Sequence, residues 1–316
     1  MSPELRRYIW TELTPHRLIA APIILIAILG LAYSTKGPSA VAITALIVFA
    51  IAFLWGVRLA GEAIADEISQ RTWDGQRLSA AGASALALGK LFGAPLYPNL
   101  IALVCIAAAS WGDIAARELT SAQAGYRAAT LIAMLALSQS VALFAGLQSM
   151  TTDGRLSRIR SVLGQLAGLG LGLSVLSSMP AFVRHFETFE RPEAFWWGAA
   201  IDPAHFVIGT AFLFAGWAAF GAIAATRRQL GHDDGPNGWL AFITFLVLYV
   251  AGFDPGDGSF SETRAALNAF VIAAFTTYFS LFLTDKDPVS MRRWGAALRR
   301  RHIRQAWRGT PAWAAG

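Results

Sequence analysis

The stretch GASALALGKLF places a Gly-Lys pair at Gly89-Lys90, where a phosphate-binding loop would be sought. That loop needs four residues between its first glycine and the Gly-Lys pair, then Ser or Thr, so that backbone amides cradle phosphate and a hydroxyl reaches magnesium. Here six residues separate Gly82 from Gly89, and Leu91 follows Lys90, so the chain does not bind ATP in this way. The histidines at 16, 185, 205, 232 and 302 are scattered, and His232-Asp233-Asp234 lies in GHDDGPNG, the composition of a polar turn. Asp254, Asp257 and Glu262 lack the alternating ligands of a calcium loop. Cys105 is the single cysteine, which excludes a disulfide framework or a cysteine metal site. No Ser/His/Asp arrangement follows from spacing. The chain therefore reads as a non-enzyme with no cofactor and no metal site of its own.

One polar segment remains, ADEISQRTWDGQRLSA at 65–80, which carries both signs of charge and a tryptophan between two apolar stretches. The residues alone leave two readings open. One is a docking surface with an exposed Trp73 as anchor, flanked by Ile68, Arg71 and Leu78, since docking helices use a few apolar anchors while charges set register. The other is a solvated loop whose Trp rests on lipid headgroups.

The elements that hold this segment are apolar. Of 316 residues, 55% are hydrophobic and 15% charged, against about 25% charged in an ordinary soluble domain. Mean hydropathy is +0.48. Stretches without Asp, Glu, Lys or Arg run over 18–35, 37–57, 91–112, 128–152, 161–183, 203–226, 235–253 and 265–284. A membrane-crossing helix needs about 20 such residues. The fold class expected is an all-α polytopic membrane protein of about eight spans. No carboxylate falls at mid-membrane, which disfavours a proton-coupled carrier.

Charge orients the spans. Of the 26 Lys and Arg residues, only Lys36, Arg117, Arg127, Arg184, Arg191 and Arg264 lie on the side opposite the termini. The positive-inside rule then puts both termini in the cytoplasm. The net charge of +6 follows from this bias toward an anionic leaflet, with membrane lipids rather than nucleic acid as the partner.

Residues 1–17 read as an amphipathic interfacial helix, with Tyr8, Ile9 and Trp10 at headgroup level and Arg6, Arg7 and Arg17 toward lipid phosphates. The longest inside connection before the tail runs over 58–90. Pro95 and Pro98 predict a kink or late start in the third span, and Pro95, Asn99 and the outer-edge His205 are the candidate pathway or gate residues. The outer segment 180–204, with Phe195, Trp196 and Trp197, reads as an interfacial or re-entrant helix. Residues 235–285 read as an additional transmembrane hairpin, and 286–316 as a basic amphipathic tail.

The segment at 65–80 resembles the loop between the second and third spans of ABC-2 type transporter permeases. In that family an acidic residue is followed five positions later by Thr, and seventeen after that by Gly-Lys-Leu-Leu or similar. Glu67, Thr72 and Gly89-Lys90-Leu91-Phe92 fit without a gap. The chain departs from the pattern in having Arg71-Thr72-Trp73 for Gly-Thr-Leu and Ala80 for Pro. The layout is similar as well: an amphipathic helix before the first span, an outer structured segment between the fifth and sixth, and a sixth span ending in Arg227-Arg228. The resemblance covers about residues 1–230, so 18–230 corresponds to the six-span core.

The resemblance implies a permease subunit of an ABC exporter in a bacterial inner membrane. It would pair with a second permease copy or paralogue and with separate ATPase subunits that bind ATP and magnesium. Residues 65–80 would be the coupling helix, with Gly89 and Lys90 the motif of the following span. Two further readings stand beside it: an ABC membrane subunit that relays force to, or assembles, an envelope system, and an ATP-independent carrier.

Overall fold

The computed structural model describes residues 2–69, 72–78, 81–149, 158–177, 194–232, 235–254, 261–283 and 288–310. Helices dominate. Chain order gives α1 (Pro3–Glu12), α2 (Pro15–Lys36), α3 (Pro38–Ser69), α4 (Trp73–Arg77), α5 (Ala83–Gly93), α6 (Leu96–Ala115), α7 (Ser121–Gln148) and α8 (Arg158–Ser177). Strands β1 (Ala194–Trp196) and β2 (Ala199–Ile201) precede α9 (Pro203–Gln229) and α10 (Asn237–Ala251). Strand β3 (Phe253–Asp254), α11 (Glu262–Leu283), α12 (Pro288–Arg299) and α13 (Ile303–Arg308) follow. Among the described residues, five helices, α2, α3, α6, α7 and α9, are long and apolar enough to cross a membrane. This is a largely α-helical membrane protein.

Two units partition the chain. The first comprises residues 1–189 and 206–226. Its core runs between α3, α6 and α7, where Phe49, Phe53 and Val57 meet Cys105, Ile106, Leu131 and Met134, with Ala45, Ala52, Ala102 and Ala109 between them. Small residues let the backbones close up, since apolar burial supplies little drive between helices in lipid. A Cβ at Gly146 of α7 would stand 2.5 Å from the Gly61 carbonyl oxygen of α3, so only glycine fits there. Outside this core, α2 turns Ile19, Ile23, Ile26 and Leu31 outward, as a lipid-facing helix would.

Local sequence accounts for the boundaries. Ser2 accepts from the Leu5 amide and Pro3 opens α1; Pro15 opens α2. Thr120 and Gln123 form a capping box on α7. The third apolar stretch is broken as its prolines require: α5 ends at Gly93, and α6 starts at Leu96 behind a buried Pro95.

The connection expected over 58–90 is itself largely helical. Helix α3 continues past Val57 to Ser69, supported by an Arg58–Glu62 pair at 3.0 Å. At 1.5 Å per residue, this carries Glu67 roughly 15 Å beyond Val57.

The second unit comprises residues 190–205 and 227–316. Here a small three-stranded sheet, in the order β2-β1-β3, accompanies the helices. Phe195 and Trp196 lie on a strand and Trp197 in the turn, where an interfacial or re-entrant helix was expected. Strand β1 pairs antiparallel with β2 (Phe195 opposite Ala200) and with β3 (Phe195 opposite Asp254). The Trp196 indole donates to the Tyr249 carbonyl oxygen at 3.0 Å, tying the strand to the end of α10. Helices α10 and α11 pack against each other. Residues 178–193, which include most of the outer segment, lie outside the described residues.

Candidate functional site

The extension of α3, the last turn of α5 and the start of α1 converge in the first unit. The ammonium of Lys90 donates to Glu67 Oε2, to Glu4 Oε1 at 3.1 Å and to Gln76 Oε1 at 3.0 Å. These use all three of its N–H donors. Glu67 Oε1 accepts from Arg7 Nη2 at 2.6 Å and from Gln76 Nε2 at 2.7 Å. Arg7 also reaches Glu4 Oε1 at 2.6 Å. Two carboxylates and two cations thus balance in one closed network. The Lys90 side chain is 1% exposed, Glu67 6% and Glu4 7%, whereas Arg7 at 42% forms the outer edge.

Burial makes this arrangement depend on completeness. An ion removed from water pays several kcal/mol in desolvation, which only full pairing offsets. Lys90 has further support, sitting in the last turn of α5 where the helix dipole favours a cation. The Arg7 guanidinium is opposed by its partial burial, but its hydrogen bond to Glu67 and the charge of Glu4 hold it above its usual range. Burial, followed by the negative charge of Glu67, pushes the Tyr8 hydroxyl well above the usual tyrosine range, so it stays protonated.

Glycine spacing seats α1. Gly89 and Gly93 stand one turn apart on α5. A Cβ at Gly89 would lie 2.6 Å from Glu4 Cβ, and one at Gly93 would lie 2.4 Å from Tyr8 Cδ2. Neither could carry a side chain with α1 in place. The Gly-Lys pair thus has two structural tasks: the glycine admits α1, and the lysine pairs with what α1 and α3 bring.

Trp73, expected as an exposed anchor, is buried. It packs with Ala63, Ile64, Leu91, Leu143, Leu147 and Ala222, and its ring centroid lies 5.7 Å from Lys90 Nζ. Ile68 is half-buried against the same cluster. Thr72 donates both its amide and its hydroxyl to the Glu67 carbonyl oxygen, at 2.9 and 3.2 Å, closing the end of α3. Leu78, by contrast, is 88% exposed. Arg71 lies outside the described residues.

Asn99 belongs to a different polar pair. Its amide donates to Gln139 Oε1 at 3.0 Å and accepts from Gln139 Nε2 at 2.6 Å, beside Gly56. Pro95 is buried at the helix break, one turn before Asn99. His205, in the second unit, pairs with Asp202 at 3.1 Å and is largely exposed.

Sequence reasoning missed Glu4, Arg7, Tyr8 and Gln76. Arg7 was expected to face lipid phosphates, but it faces Glu4 and Glu67, because two buried carboxylates need a second cation beside Lys90. The signal in the sequence is Glu4 itself, one turn before Arg7, on a helix whose other charged positions are Arg6 and Glu12. Among the described residues, no group of three or more His, Cys, Asp or Glu side chains could hold a metal ion. No protein-family model, curated protein or solved structure matches the chain.

Proposed function

We propose that the chain is the transmembrane permease subunit of an ABC exporter, working with a separate ATPase that binds ATP and magnesium and with a second permease copy or paralogue. It would reside in a bacterial inner membrane with eight spans and cytoplasmic termini, as the alternation of apolar runs and the charge bias favour. The observation that carries the reading is the saturated Glu67–Lys90–Glu4–Arg7 network. It fastens the short helix α4 to the ends of α3 and α5 through Gln76 and Trp73.

A coupling element must pass displacement to the spans without absorbing it. The network and the Trp73 cluster supply that stiffness, since packed interiors shift between discrete arrangements rather than deforming smoothly. A push on α4 would move α3 and α5 together. The docking anchor is then not Trp73, which is the internal pin. Leu78, exposed just after α4, takes that part. Asn99 and Gln139, paired between α6 and α7, are the polar groups closest to a pathway role in the first unit.

The test is affinity purification of the tagged protein from its native membrane, followed by mass spectrometry. Recovery of an ATP-binding-cassette subunit that is lost in Leu78→Asp supports the reading. Recovery of the permease alone, under conditions that preserve other membrane complexes, overturns it in favour of an ATP-independent carrier.

A further inference from the structure

We propose that α12 and α13 form a docking surface for anionic phospholipid headgroups. The proposal needs only the membrane character of the chain and stands apart from the permease reading. Residues 288–310 hold Arg292, Arg293, Arg299, Arg300, Arg301, Arg304 and Arg308 and no acidic residue. Arg292, Arg293, Arg299, Arg300, Arg301 and Arg304 are exposed. Such density on an amphipathic helix matches the charge of a phosphate-bearing surface.

Apolar side chains among these arginines favour a bilayer over a soluble polyanion. Leu298 is 50% exposed, Ile303 80% and Trp307 46%, and the last two stand one turn apart on α13. An interfacial helix buries such side chains at the acyl boundary while its arginines reach headgroup phosphates. The tail is also tied to an apolar helix. The Trp307 indole donates to Asn237 Oδ1 at 3.0 Å, and Asn237 is the first residue of the apolar helix α10. The basic surface is thus held at the end of an apolar helix within its own unit.

The joint between the two helices provides a clean variant. His302 donates to the Ala297 carbonyl at 3.0 Å and Arg301 to Leu298 at 3.1 Å, with Arg301 at φ 54°. Helix α9 ends in the same way, but with Gly231 at φ 82° in that position. The left-handed conformation is costly for arginine and free for glycine. Arg301→Gly therefore removes one charge while relieving strain, and the joint keeps its form.

The experiment is native mass spectrometry of the full-length protein in zwitterionic detergent, titrated with equal amounts of phosphatidylglycerol and phosphatidylcholine. Wild type is expected to retain phosphatidylglycerol selectively, and less so as salt is raised. Each arginine neutralised should weaken retention about fivefold, so Arg299→Gln with Arg300→Gln costs about 25-fold and Arg301→Gly about fivefold. Arg301→Gly should do so at an unchanged or raised melting temperature, which separates lost binding from lost folding. Equal retention of the two lipids by wild type overturns the proposal, as does a preference that survives in both variants. Tighter retention of polyglutamate than of phosphatidylglycerol overturns it too, by assigning the tail to an acidic polypeptide.

Discussion

Lys90 and Glu4, 86 residues apart in the chain, lie 3.1 Å from each other in side chains almost closed to solvent. The contact joins the first helix of the protein to the element that follows the polar connection. Helix α1 is therefore part of the site, and whatever moves Glu67 acts on α1 as well.

Removing Lys90 should be among the most damaging single changes. Lys90→Met leaves Glu4 and Glu67 buried with only Arg7 between them, and breaking a buried pair costs about 3–5 kcal/mol. Adding Glu67→Gln should recover part of that loss, because the uncompensated charge goes with it. Thermal unfolding of the four proteins in detergent measures the coupling. Additive losses would mean that the two side chains do not share one network.

The seat of α1 is separately testable. Gly93→Ala places a methyl group where the Tyr8 ring lies, and Gly89→Ala does the same at Glu4. Overpacking of this kind costs about 1–3 kcal/mol. The expected result is faster amide exchange across Pro3–Glu12 in either variant, with α7 unaffected. Combining Gly93→Ala with Tyr8→Ala should cost less than the sum, since the second change removes the two nearest atoms, Cδ2 and Cγ, and leaves only Cβ at 2.8 Å.

The positions of the apolar helices could be read from sequence because a membrane helix must exclude charge over its own length, and five of those described are long and apolar enough to cross a membrane. Each charge-free stretch overlaps a helix. Charge marks only the edge of the apolar zone, though, and not the end of hydrogen bonding. Helix α3 accordingly continues through Arg58, Glu62, Asp66 and Glu67. The polar segment was visible as unusual, but its burial was not. The side chains covering Trp73 include Leu143, Leu147 and Ala222, brought in by two later helices, and no local pattern announces them. Glu4 and Arg7 escaped for the same reason. The strand at Phe195–Trp196 differs again: its partner Phe253–Asp254 lies beyond two intervening helices.

Asn99 and Gln139 satisfy one another between α6 and α7. Asn99→Leu should strand the Gln139 amide and cost about 1–2 kcal/mol, and Gln139→Leu should do the same to Asn99. The double variant should recover most of that stability, because replacing both partners by apolar groups leaves nothing unpaired. Melting temperatures decide this. If the pair lines a pathway, the double variant will be stable yet inactive in vesicle transport, whereas restored activity would make the pair purely structural.

Trp73 and Leu78 should separate folding from docking within one short segment. Trp73→Ala opens a cavity among Ile64, Leu91, Leu143 and Leu147, and truncating a buried tryptophan costs about 3–5 kcal/mol. Leu78→Asp changes a side chain that is 88% exposed, so stability should hold within about 0.5 kcal/mol. Under the permease reading the order reverses for ATPase recovery, where Leu78→Asp abolishes capture at full stability. Trp73→Ala lowers capture only as far as the protein unfolds. Equal capture by wild type and Leu78→Asp would move the docking surface elsewhere, while a stable Trp73→Ala protein that had lost its partner would return Trp73 to the interface.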